Sequence, residues 1–130
     1  EYSLKYIKKI LKKLSEDPVT SKTPIIVFAR DQKCNLNEFK LDDLSCYGMF
    51  TSINPNNAIS VFEGSHALQG NLDPKILLEE DSVIKESVSR ILSDFKDYPG
   101  YIFNLGHGIT PDINPDKVKV LVEAIRDSGS

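Results

Sequence analysis

The sequence predicts an α/β fold in which parallel strands alternate with helices. Two observations lead there. Short, continuously apolar runs rich in β-branched residues recur between stretches with helical spacing. No hairpin signal such as Asn-Gly joins one strand candidate to the next, so the crossovers are helical. A doubly wound sheet and a (β/α) barrel both fit this alternation. A full eight-fold barrel takes about 250 residues, so four strand candidates in a single segment of 130 residues would make about half of one.

The elements follow in order. Leu4, Ile7, Leu11 and Leu14 repeat at helical spacing, with Tyr6 and Ile10 beside them, and Asp17-Pro18 stops the helix. Pro24 to Ala29 is short and continuously apolar, which predicts a strand covered on both faces. A brief helical segment should bury Leu36, Phe39 and Leu44. Cys46 to Ile53 is the second strand candidate. Asn54-Pro55-Asn56-Asn57 is a turn and helix cap leading into Ala58 to Phe62. Ala67 to Gly70 reads as a brief strand, ended by the polar turn Asn71-Leu72-Asp73-Pro74. Ile84, Val88, Ile91, Leu92 and Phe95 mark an amphipathic helix broken at Pro99-Gly100. Tyr101 to Leu105 is the last strand and runs into Gly106-His107-Gly108. Asn114 is a good N-cap with Pro115 at the first helical position, and Val118, Leu121, Val122 and Ile125 form the buried stripe of the final helix.

Composition narrows the function classes. The chain is 40% apolar and 27% charged, with a net charge of −3, so it carries no electrostatic footprint for nucleic acid. Lys5, Lys8, Lys9, Lys12 and Lys13 make the first helix locally basic, which reads as a solvated face. No apolar run approaches the roughly 18 residues of a membrane span, and no signal peptide is visible. Cys34 and Cys46 form no CxxC and have no neighbouring His, so free thiols rather than a zinc site are expected. Glu1 opens directly into a helical pattern, the start expected of a cut through a longer protein.

Two stretches go beyond fold class: Leu68-Gln69-Gly70-Asn71-Leu72-Asp73-Pro74, and Phe103-Asn104-Leu105-Gly106-His107-Gly108-Ile109 followed by Pro111-Asp112. In this order and spacing they resemble the C-terminal part of uroporphyrinogen decarboxylases, and Pro24 to Arg30 looks like an earlier strand of the same family. The resemblance implies the C-terminal portion of a (β/α)8 barrel, a homodimer and a cofactor-free lyase of haem biosynthesis. Such an enzyme converts the four acetate side chains of uroporphyrinogen to methyl groups, giving coproporphyrinogen. The arginines and the aspartate that grip substrate lie in the family's N-terminal half, so the isolated segment is expected to be inactive. The cytoplasm is the expected compartment, with the plastid as the alternative.

His107, between Gly106 and Gly108 just past a strand, is the leading substrate-contacting candidate, since barrel enzymes place functional side chains there and glycines admit a ligand to the backbone. Asn71 and Asp73 follow another strand, where turn chemistry and support of the cleft compete with substrate contact. Arg30 ends its strand, facing a carboxylate, pairing with Asp31 or lying on the surface. His66, outside any motif, reads as a surface residue. No catalytic residue is assigned within the segment.

The family pattern is not fully kept. Asp31-Gln32-Lys33 stands where Gly-Gly is common, and Met49-Phe50-Thr51-Ser52 where Leu-Asp-Trp-Thr is common, which removes an Asp from the barrel mouth. Zinc-dependent methyltransferases share the barrel, but their His-x-Cys pair and later Cys are absent here. A half barrel serving as a structural or dimerisation module is the non-catalytic alternative. In either case, inward side chains from the segments around Val27, Met49, Leu68 and Phe103 would want a partner, either the missing N-terminal half or a second copy.

Overall fold

The structure is a computed structural model that describes residues 2–30 and 35–128. Asp31, Gln32, Lys33 and Cys34 lie outside the described residues. Helix α1 spans Tyr2–Glu16, and strand β1 Ile26–Phe28. A 3₁₀ turn, Leu36–Phe39, leads to strand β2, Cys46–Gly48, and helix α2, Pro55–Phe62. Strand β3 is Ala67–Gln69, followed by a second 3₁₀ turn, Pro74–Leu78, and helix α3, Asp81–Asp94. Strand β4, Tyr101–Ile102, and helix α4, Pro115–Ser128, complete the chain.

The four strands are all parallel and lie in the order β1-β2-β3-β4. This order resolves the alternatives left by the sequence. A doubly wound sheet reverses its strand order at a switch point, whereas here each strand is laid beside its predecessor. The fold is α/β and matches part of a barrel.

Register explains the two faces. Val27, Tyr47, Leu68 and Tyr101 form one row across the sheet. This row faces the helices: Tyr47 and Leu68 are fully buried, and the Tyr47 ring packs on Phe39 at 5.0 Å and on Phe62 at 5.4 Å. Tyr101 stacks on Phe95 at 4.0 Å. Phe28, Gly48, Gln69 and Ile102 form the alternate row on the opposite face. Ile26, Phe28 and Ile102 stay 48%, 49% and 42% exposed because no second layer covers them. The apolar run of β1 is therefore not covered on both faces as its composition suggests. Val27 and Leu68 belong to the helix-side core, and the open face takes their neighbours Phe28 and Gln69 instead.

The strands are shorter than the apolar runs that predict them. β2 stops at Gly48 because Thr51 and Ser52 already turn toward α2. Pairing between β3 and β4 continues beyond the strands: Leu72 N donates to Asn104 O at 3.2 Å and Gly106 N to Leu72 O at 2.8 Å.

The helices follow their sequence signals. Asn54 caps α2 by accepting from Asn56 N at 2.9 Å, and Asn114 caps α4 by accepting from Asp116 N at 2.9 Å. Each such cap is worth about 1 kcal/mol. Leu36, Phe39 and Leu44 are buried, as are Ile84, Val88, Ile91 and Phe95. In α4 the stripe is rotated from expectation: Ala124 is buried beside Leu121, while Val122 is 39% exposed. Lys117 joins the starts of α3 and α4, with Nζ 2.7 Å from Asp81 Oδ1 and 2.9 Å from Glu79 O. Among the described residues no helix is long and apolar enough to cross a membrane.

Candidate functional site

The site forms where parallel strands end. Their C-terminal ends share one edge of the sheet, and the loops that follow converge there. A cavity of about 320 Å³ opens on the helix-free side, lined by Phe28, Gly48, Gln69, Asn104, His107 and Gly108, with Met49 and Leu105. Gly48 supplies no side chain between Phe28 and Gln69 in the register row, and the Phe28 ring leans over it: a Cβ on Gly48 would lie 3.2 Å from Phe28 Cδ2.

His107 is half-buried at the cavity wall. Its Nδ1 lies 2.9 Å from Gly108 O. A carbonyl only accepts, so Nδ1 carries the hydrogen in this bond. Nε2 has no bond to any described residue. The His107 ring also contacts the Phe50 ring, with centroids 5.8 Å apart, and Phe50 in turn contacts Phe28 at 6.4 Å. Three rings thus run along the mouth from the end of β1 to the loop after β4.

The two glycines beside His107 do different things. A Cβ on Gly106 would lie 2.6 Å from Thr51 N, so its backbone approaches its own chain rather than a ligand. Among the described residues Gly108 has nothing within 4 Å of such a Cβ and leaves the cavity wall open.

Asn71 is buried, and its Nδ2 donates to Phe50 O at 3.0 Å and to Ile53 O at 2.7 Å. It ties the end of β3 to the loop after β2. Asp73 accepts from Lys75 N at 2.9 Å and so caps the 3₁₀ turn beginning at Pro74. Neither residue lines the cavity. Arg30 is exposed just after β1, at the same edge of the sheet as His107, with no ion pair to any described residue; Asp31, its possible partner, is outside them.

His66 is a correction to the sequence reading. It is half-buried: Nε2 lies 2.9 Å from Leu41 O, Nδ1 lies 2.8 Å from Ser65 Oγ, and the ring meets Phe62 edge-on at 5.4 Å. The residues missed by sequence reasoning are Gln69, Asn104 and Phe50. The first two sit inside the quoted motifs, and the alternation along β3, with apolar Leu68 on the helix side, would have put Gln69 on the opposite face.

The chemistry of this wall is mostly neutral. Gln69 and Asn104 offer amides and His107 an imidazole, and among the described residues the cavity lining holds no Arg or Lys. Cys46 is buried, and burial pushes its thiol up in pKa. Among the described residues no cluster of His, Cys, Asp or Glu is arranged to hold a metal ion.

Comparison with known proteins agrees with this geometry. The family model described as Uroporphyrinogen decarboxylase (URO-D) matches residues 1–128. A protein named uroporphyrinogen decarboxylase from Alcanivorax borkumensis is 39% identical over 96% of this chain and 35% of its own length. One of the same name from Hahella chejuensis is 35% identical over 98% of this chain and 36% of its own. A solved structure, a methyltransferase from Methanosarcina mazei, superposes with a TM-score of 0.69 at 16% identity, covering 98% of this chain and 38% of that one. The last likeness is one of fold. The chain thus spans roughly a third of the length of these curated relatives, and it belongs to the uroporphyrinogen decarboxylase family.

Proposed function

We propose that this chain supplies the C-terminal wall of a uroporphyrinogen decarboxylase site, with His107 as its substrate-contacting residue. The observation that supports this reading is His107 in the wall of a cavity on the helix-free side of the sheet, with Nδ1 held by Gly108 O and Nε2 bonded to no described residue. The substrate is a flexible ring bearing many carboxylates. Decarboxylation of an acetate arm requires a protonated pyrrole as electron sink and a proton delivered after CO2 departs. With Nδ1 holding its hydrogen toward Gly108 O, Nε2 can take up a proton, and the imidazolium so formed can donate to a carboxylate or pass the proton on. Gly106 and Asn71 hold the loops behind it, Asp73 caps the next turn, and Gly108 leaves room for the ligand. In this reading Arg30, exposed at the same sheet edge, would meet a carboxylate of the substrate.

The neutral lining also supports a division of labour. A polyanionic substrate needs several cations, and the described residues of the cavity wall include no Arg or Lys. Those groups would come from the rest of a protein of the relatives' length, which would also meet the open sheet face; the working unit is then a cofactor-free homodimer. In the protein that carries this chain, His107→Asn should slow coproporphyrinogen formation about tenfold or more without lowering the melting temperature. A sharp fall in melting temperature with unchanged turnover per folded molecule would make the histidine structural and overturn the reading.

A further inference from the structure

We propose that Phe50 is a positioning residue for His107, setting the direction in which Nε2 faces the cavity; the proposal rests on the reading of His107 given above. Two consecutive contacts link the loop after β2 to the loop after β4. The Phe50 ring lies against the His107 ring at 5.8 Å with an interplanar angle of 33°. One residue further, the Thr51 backbone lies against Gly106, close enough that a methyl at Gly106 would collide with it. The loop that carries Phe50 is itself fixed, because the buried Asn71 amide binds the carbonyls of Phe50 and Ile53.

Free rotation of His107 would let Nε2 sweep through solvent. Its one hydrogen bond, to the adjacent carbonyl of Gly108, fixes Nδ1 but leaves the ring plane free to tilt about that contact. The Phe50 ring closes one side of that tilt. Phe28 stands behind Phe50 at 6.4 Å and prevents its retreat toward β1. The imidazole is thereby held between a backbone carbonyl and an aromatic surface at the cavity wall. Phe50 makes no bond through a polar atom of its side chain, so its effect on chemistry passes through His107.

The test replaces Phe50 with Leu and with Tyr in the protein that carries this chain, with histidines isotopically labelled. His107 signals are identified by their loss in His107→Asn, and His66, packed against Phe62 away from this loop, is the internal reference. In Phe50→Leu the His107 ring resonances should move while those of His66 stay, kcat should fall about tenfold with KM little changed, and Phe50→Tyr should restore both. Unmoved His107 resonances in Phe50→Leu, or equal activity in the Leu and Tyr variants, would overturn the proposal. If Phe50→Leu does not fold, Phe50→Trp takes its place: the larger ring must shift the His107 signals while Phe50→Tyr keeps them near those of the parent, and unmoved signals in Phe50→Trp overturn the proposal. If the parent shows no decarboxylation while the resonances respond as stated, the functional reading fails and the positioning role stands.

Discussion

Gly106 lies so close to Thr51 that a Cβ at Gly106 would sit 2.6 Å from the Thr51 amide nitrogen and 2.7 Å from its Cα. Both opposing atoms are backbone, so neither can rotate aside. Gly106→Ala should cost about 1–3 kcal/mol, the usual toll of overpacking a fixed contact. Gly108→Ala, two residues away with open space around the added methyl, should stay within about 0.5 kcal/mol of the parent. Urea denaturation of the two variants side by side checks this, and equal losses would show that the loops are not in contact.

Asn71→Ala should destabilise by about 2 kcal/mol, since it removes two part-buried hydrogen bonds and leaves the carbonyls of Phe50 and Ile53 without this donor. Asn71→Asp should be no better, because a carboxylate cannot donate to the two carbonyls. Thermal melts read both; a neutral Asn71→Ala would mean that the loop after β2 is held by other contacts.

The Tyr101 hydroxyl donates to Gly70 O, and burial pushes its pKa well above the usual tyrosine range. Below about pH 10 both folded and unfolded chains keep the proton. Above that, the unfolded chain loses it while the folded one holds it, so the unfolded state binds fewer protons and stability falls as pH rises. Tyr98, raised in the same direction by burial, adds to this limb. Tyr101→Phe should flatten it. Denaturation midpoints measured from about pH 9 to 11.5 decide the matter, and an unchanged slope in Tyr101→Phe would be the contrary result.

The open sheet face makes its own prediction. Ile26, Phe28 and Ile102 present apolar surface on a side without a covering layer, and β1 and β4 have free edges. The 130-residue chain by itself should self-associate at micromolar concentration, and Ile26→Lys with Ile102→Lys should shift it toward monomer. Sedimentation velocity measures both; a monomeric parent would show that the face is not sticky.

The sequence was most legible where periodicity and capping coincide. The spacing of Ile84, Val88, Ile91 and Phe95 marked α3, and Asn54 and Asn114 marked two helix starts, because both signals are local. Strand faces were harder. A run such as Ile25 to Phe28 has no polar alternation, so composition cannot say which side the helices take; only register with Tyr47 and Leu68 does. The site shows the same division. His107 stood out as a lone imidazole between glycines, whereas Phe50 looked only like a departure from a family pattern. Its contact with His107 joins residues 57 positions apart, and no short-range signal reports such a meeting. His66 was misread for the same reason: its partner carbonyl belongs to Leu41, in a distant loop.

Because each strand pairs only with its neighbours in the chain, the sheet can lose or gain a terminal unit without disturbing its interior ladders. Amide hydrogen exchange should reveal this as a gradient. Protection should be greatest on the β2–β3 ladder and fade toward β1 and β4, the two strands with only one neighbour each. A sheet wound in one direction frays from its ends, much as a rope does, and its middle strands report the global stability of the whole segment.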